Sequence, residues 1–184
     1  MIIGLQGYAG SGKSTVADIL VDNYNFVLVD MSEPVHRALC ALDPIVEAGY
    51  RYSEVVELLG YTAAKRIPEV RQLLQRMGTE VGRNLLWKDI WVEQAELKIE
   101  QLMETGYPDI VVPNIRFDNE MQMIHNLKGS IWTVVRDKVG KTSTHISENL
   151  PETTPDVVIE NDATVLDLEK RVDTALRRVG WSCT

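Results

Sequence analysis

The chain has 184 residues, 45% hydrophobic and 25% charged, with a formal net charge of −8 and a pI of about 4.9. That composition suits one compact α/β domain with a sizeable core. It excludes a protein that coats DNA or RNA, because phosphate neutralisation needs a basic face, but not one small anion in a local basic pocket. Two distant cysteines, Cys40 and Cys183, fit a reducing compartment and neither a disulfide framework nor a zinc site. No apolar run approaches the length of a membrane span, and the first residues read as a strand rather than a basic leader. A cytoplasmic protein is expected.

In chain order, 1–5 reads as a buried strand and 13–24 as a helix with Val16, Ile19, Leu20 and Tyr24 on one face. A second strand is predicted over 26–30 and a helix over 31–42. Ser53 is placed as the cap of a short helix through Leu59, stopped by Gly60. Pro68 opens the next helix, whose stripe is Val70, Leu73, Leu74, Met77 and Val81, and 88–103 reads as another. Strands follow at 109–115, 130–135 and 157–159, with helices at 118–127 and from about Thr164. Strands alternating with helices imply a parallel sheet covered on both faces. The spacing predicts a single domain over 1–184, with a helical insert at 31–106 and a polar segment at 136–155.

Directly after the first strand comes GYAGSGKST, Gly7 to Thr15, which matches Gly-x-x-x-x-Gly-Lys-Ser. Glycines let the backbone turn tightly and aim successive N–H groups at phosphate oxygens. The helix that starts near Lys13 adds its positive end. Lys13 supplies mobile charge to the β- and γ-phosphates, and Ser14 offers a hydroxyl to Mg²⁺. No guanine-reading Asn-Lys-x-Asp segment is present, and the chain is short for a motor. A small-molecule kinase needs an acceptor pocket with arginines and a closing segment that excludes water. The two inserts are suitably placed for both.

In the first insert, RQLLQRMGTEVGR (71–83) puts Arg76 and Arg83 seven residues apart, on one face of an unbroken helix. Gln75, Thr79 and Glu80 lie beside the apolar stripe, and Gly78 interrupts it. Arginine suits a phosphate because its guanidinium donates two parallel hydrogen bonds. Arg37 is a further candidate phosphate ligand, against a surface pair with Glu33. Trp87 and Trp91 suit either base stacking or core packing. VVPNIRFDNE (111–120) ends a strand with Asn114, Arg116, Asp118 and Glu120, and ligands of open α/β sheets sit at the carboxyl ends of strands. Arg116 can reach a phosphate there. Asn114 stands where many such proteins have a metal-positioning aspartate, and Asp118 suits a helix cap. Arg136, Lys138 and Lys141 put three cations on the polar segment, where a cation can stabilise the transferring phosphoryl group. His145 suits a general base or, with Ser147 and Glu148, a substrate-contacting group.

GYAGSGKST, RQLLQRMGTEVGR, VVPNIRFDNE and HISE, in this order, resemble the bacteriophage deoxynucleoside monophosphate kinases from Met1 to about Pro155. The resemblance implies a three-layer α/β P-loop NTPase fold, with a five-stranded parallel sheet, a helical acceptor-binding insert and a lid. It implies transfer of a phosphoryl group from ATP to a deoxynucleoside monophosphate, with Mg²⁺, in the host cytoplasm, for DNA precursor synthesis. By resemblance, Gly10, Ser11, Gly12, Lys13, Ser14 and Thr15 bind ATP. Gln75, Thr79, Glu80 and Arg83 line the acceptor site, Arg116 and Arg136 flank the reacting phosphates, and His145 to Glu148 close over them. Neither a nucleic-acid polymer nor a membrane is expected as a partner, and a homodimer is compatible. Dephospho-coenzyme A kinase, which has an aspartate after strand two like Asp30, is the nearest alternative, and RQLLQRMGTEVGR speaks against it. A nucleotide-dependent regulatory protein without transfer is the alternative of a different class.

Overall fold

A computed structural model describes residues 1–46, 49–137 and 154–182. They divide into two compact units, Met1–Asp30 with Ala95–Thr184, and Met31–Gln94.

The first unit is built on a five-stranded parallel sheet in the order β2-β3-β1-β4-β5. Its strands are β1 (Ile2–Gln6), β2 (Val27–Leu28), β3 (Ile110–Val112), β4 (Ser130–Val135) and β5 (Val157–Glu160). β1 lies in the middle, with Ile3 opposite Val111 on one side and Ser130 on the other. Buried on both faces, it reads IIGLQ without alternation, as central parallel strands do. Helices α1 (Lys13–Tyr24) and α8 (Val165–Arg178) cover one face, and their core joins Leu5, Leu20, Trp132, Ile159, Val172 and Leu176. Helix α7 (Asp118–Asn126) covers the other. There Gly4 lies so close to Ile131, Ile124 and Ile115 that a side chain on it would stand about 3 Å from all three.

The strand and helix predictions hold, with shifts at the ends. β2 is shorter than 26–30, although the Val29 N–H still donates to the Val111 carbonyl at 2.9 Å. Helix α8 starts with a capping box in which Thr164 accepts from the Asp167 N–H and the Asp167 carboxylate accepts from Thr164. Asp118 opens α7 rather than capping it. The buried carboxylate of Glu120 does that work, accepting from the N–H groups of Arg116 at 2.7 Å and Phe117 at 3.2 Å.

The second unit is helical: α2 (Glu33–Leu42), α3 (Tyr52–Leu59), α4 (Tyr61–Ala64), α5 (Pro68–Gln75) and a π-helix (Arg76–Leu86), with α6 (Ile90–Glu104) straddling the boundary between the units. Arg51, not Ser53, stands at the cap position of α3, and the Ser53 N–H donates to the Asp43 carboxylate at 2.9 Å. Tyr52 is fully buried and its hydroxyl lies 2.8 Å from His36 Nδ1. Burial pushes the Tyr52 phenol up, so it keeps its proton and shares a hydrogen bond with the imidazole. The His36 ring also stacks on Tyr61 at 4.2 Å, and Lys65 Nζ sits over that tyrosine.

Burial, and then the charge of Lys65, hold His36 below its ordinary value of 6.5. Above about pH 6.5 the imidazole is neutral whether the chain is folded or not. As pH falls from there, the unfolded chain takes up the proton first, so this group's contribution to stability declines. The urea midpoint is therefore expected to drop between about pH 7.5 and pH 5.5, and His36→Gln to flatten that drop. An unchanged slope in His36→Gln would assign the dependence to other groups.

Candidate active site

The turn between β1 and α1 is formed by Gly7 to Gly12. Gly7 has φ 144° and Gly12 φ 102°, conformations that side chains rarely adopt. Each is also crowded. A Cβ on Gly7 would collide with the Val134 carbonyl and stand 2.7 Å from Ser11 Oγ, and one on Gly12 would coincide with the Asn161 amide. Within the turn, the Ser11 N–H donates to the Tyr8 carbonyl at 3.1 Å. Lys13, only 8% exposed, reaches back across it and donates to the carbonyls of Gly7 at 2.8 Å and Tyr8 at 2.9 Å.

The start of α1 is free of capping side chains, and its first turn carries no acidic residue. Every other described α-helix of eight residues or more has at least one acid there: Glu33, Glu54, Glu69, Glu93, Asp118 with Glu120, or Asp167. An acid at those positions satisfies the positive helix end. Its absence from α1 leaves N–H groups and dipole for a phosphate. Ser14, exposed on the first turn, presents a hydroxyl at the same place.

Because the strands are parallel, the loops after β1, β3, β4 and β5 share one edge of the sheet. That edge therefore gathers Lys13, Arg116 and Arg136. Arg116 is half-buried between β3 and α7, and Arg136 is exposed one residue beyond β4. Asn114, at the end of β3, is left-handed with φ 64°, a conformation asparagine tolerates better than most residues. Among the described residues, no group of three or more His, Cys, Asp or Glu is placed to hold a metal. The predicted Ser14 hydroxyl would work differently, as one ligand beside phosphate oxygens and water.

The acceptor candidates lie in the second unit. From Arg76 the chain leaves the α-pattern for eleven residues of π-helix. A π-turn holds about 4.4 residues, so seven residues make about 1.6 turns and face nearly opposite ways. Arg76 and Arg83 are accordingly separated. Arg76 is exposed and paired with Glu80 at 3.1 Å. Arg83 is buried, 8% exposed, and donates to the Lys88 carbonyl at 3.2 Å. Thr79 is buried as well, Gln75 is half-buried and Glu80 exposed. Arg37 is exposed and paired with Glu33 at 3.2 Å. His145, Ser147 and Glu148, with Lys138 and Lys141, lie outside the described residues.

Trp91, open between stacking and packing in the sequence, is buried, and its indole donates to the Gly78 carbonyl at 2.7 Å. The same ring fills the space beside Gly82, where a Cβ would stand 2.7 Å from Cε2 and Nε1. Gly78 and Gly82 each weaken an α-helix by about 1 kcal/mol relative to alanine; Trp91 fills the space beside Gly82, while that beside Gly78 faces Val35. Trp87 is exposed and donates to Glu93 at 2.9 Å. Asn161, whose amide lies against Gly12, is not marked by the sequence. It is distant from the loop in the chain, and no motif marks it.

A glycine-rich turn between the central strand and an uncapped helix, at the carboxyl edge of a 2-3-1-4-5 parallel sheet, defines a P-loop nucleotide-binding protein. A crystal structure of TT1252 from Thermus thermophilus is similar in fold, with a TM-score of 0.53, 17% identity and 98% of each chain covered. Residues 52–172 match the family model for deoxynucleotide monophosphate kinase, and the chain belongs to that family. Two named deoxynucleotide monophosphate kinases are similar over nearly the whole length. That of Enterobacteria phage T4 is 24% identical, covering 96% of this chain and 98% of its own. That of Escherichia phage RB69 is 28% identical, covering 96% and 99%.

The Trp91–Gly82 contact predicts a coupled pair. Gly82→Ala is expected to cost about 1–3 kcal/mol by overpacking and far less in a Trp91→Ala background, where the ring is gone. A double-mutant cycle in urea checks this, and additive costs would mean that the contact does not constrain the π-helix.

Proposed function

We propose that the chain transfers the γ-phosphoryl group of ATP to a deoxynucleoside monophosphate, giving ADP and the deoxynucleoside diphosphate. The observation that carries this is the Gly7–Thr15 cradle on an acid-free helix start, in a chain of the deoxynucleotide monophosphate kinase family. Donor phosphates rest on the backbone N–H groups of the loop and first turn. Lys13 leaves the Gly7 and Tyr8 carbonyls to meet the transferring group, an exchange of neutral acceptors for a charged one.

In the transfer, an ionised phosphate oxygen of the monophosphate forms a bond to the γ-phosphorus. The bond from that phosphorus to the bridging oxygen breaks, and its electron pair stays on ADP. The acceptor oxygen is already ionised, so no general base is required. What the chain must supply is alignment and positive charge on the equatorial oxygens, the roles we assign to Lys13, Arg116 and Arg136. The Ser14 hydroxyl would hold Mg²⁺, which when bound neutralises phosphate charge. Gln75, Thr79, Glu80 and Arg83 are the proposed acceptor contacts. Arg37 joins them on release from Glu33, an exposed pair worth under about 1 kcal/mol. His145, Ser147 and Glu148 are proposed to close over the acceptor. The same reading assigns the reaction to a host cytoplasm, as two relatives are phage proteins. No described helix is long and apolar enough to cross a membrane.

A coupled assay with ATP and each common deoxy- and ribonucleoside monophosphate tests the proposal. Turnover of at least one deoxynucleotide is expected, and tight ATP binding without any turnover would favour a regulatory protein. Lys13→Ala is expected to lower kcat about a hundredfold or more while the far-ultraviolet circular dichroism stays that of the folded chain. Arg83→Ala is expected to raise the KM for the monophosphate by roughly tenfold or more, the worth of a charge-assisted hydrogen bond, with little change in the KM for ATP. If only the ATP parameter moves, the acceptor site lies elsewhere.

A further inference from the structure

We propose that Asn161 is a positioning residue for the phosphate-binding loop, its side-chain amide fixing the Ser11–Gly12 peptide so that the Gly12 N–H faces the anion. The inference rests on the nucleotide-binding role proposed above.

Asn161 Nδ2 donates to the Ser11 carbonyl at 2.8 Å, across 150 residues of sequence. A backbone carbonyl can only accept, which fixes which end of the amide faces the loop. In a planar trans peptide the carbonyl and the following N–H point opposite ways. Drawing the Ser11 carbonyl to Asn161 therefore turns the Gly12 N–H away from Asn161. Gly12 has φ 102°, and its missing Cβ leaves the space that the amide occupies. Glycine here thus serves a close approach as well as a backbone angle. The Ser11 hydroxyl does not hold the loop, since it is buried and has no partner among the described residues.

Asn161 is itself anchored. Its backbone N–H donates to the Val135 carbonyl at 2.8 Å, extending the β4–β5 ladder one residue past Glu160. Arg171 from α8 binds the Glu160 carbonyl and lies 3.4 Å from its carboxylate. Asp162, next in the chain, accepts from the Asp137 N–H just beyond β4. The amide is therefore presented from sheet framework rather than from a free loop. That framework gives it the rigidity to orient a turn that glycines leave soft.

The test compares Asn161→Ala and Asn161→Asp with the unaltered chain by equilibrium titration with ATP and by steady-state kinetics. Asn161→Ala removes the donor. Asn161→Asp keeps the shape but sets a carboxylate against a carbonyl and near the bound phosphates. The expected result is about three- to tenfold weaker ATP binding in Asn161→Ala, the worth of one hydrogen bond, and a larger loss in Asn161→Asp. The KM for the monophosphate and the thermal midpoint should stay near those of the unaltered chain. Unchanged ATP affinity in both variants would overturn the inference and leave the kinase assignment standing. So would equal loss for both substrates together with a lowered thermal midpoint, because that pattern describes a fold support only. If the unaltered chain fails to bind ATP, the nucleotide reading falls first. If it binds ATP without turnover, the titration still decides the role of Asn161.

Discussion

An anion held by backbone needs several N–H groups aimed at one point, and a trans peptide obtains each of them only by sending a carbonyl the other way. The turn between β1 and α1 is shaped by that requirement. The Ser11 carbonyl is taken up by Asn161, and those of Gly7 and Tyr8 accept from Lys13 in this structure. Each is a polar group that burial would otherwise penalise. The glycines follow from the same requirement, because φ is positive at Gly7, Gly10 and Gly12 and neighbouring atoms crowd the places where Cβ atoms of Gly7 and Gly12 would sit.

Charge is distributed to the same end. The chain is acidic overall, yet the carboxyl edge of the sheet gathers Lys13, Arg116 and Arg136, and acids are kept off the first turn of α1 while they occupy the starts of the other long α-helices. Net charge describes solubility and long-range steering; a small anion responds to the few charges within several ångströms. Phosphoryl transfer suits such a site, since it asks for alignment and neutralisation more than for proton transfer.

The helical unit solves a different problem. Arg83 has to be held away from bulk water without losing its hydrogen bonds, and a buried cation is costly unless partnered. The π-helix turns Arg83 inward and leaves Arg76 outside with Glu80. Trp91 stabilises the wider turn by filling the groove beside Gly82 and taking the Gly78 carbonyl. A regular α-helix would have put both arginines on one side.

The alternation of apolar strands and amphipathic helices, the Gly7–Thr15 loop and its junction with α1 were legible in the residues alone, because they depend on local periodicity and on contacts a few residues apart. The order of motifs was enough to suggest the family. Other features depended on neighbours that the sequence does not place together. The path of 76–86 was set by Trp91 against Gly82 and the Gly78 carbonyl, the cap of α7 by Glu120 rather than Asp118, and the hold on Ser11 by an asparagine 150 residues away. Sequence determined which segments could form elements and which turn could hold a phosphate. Only tertiary structure decided which side each arginine faces and what orients the turn, since both follow from packing between residues far apart in the chain.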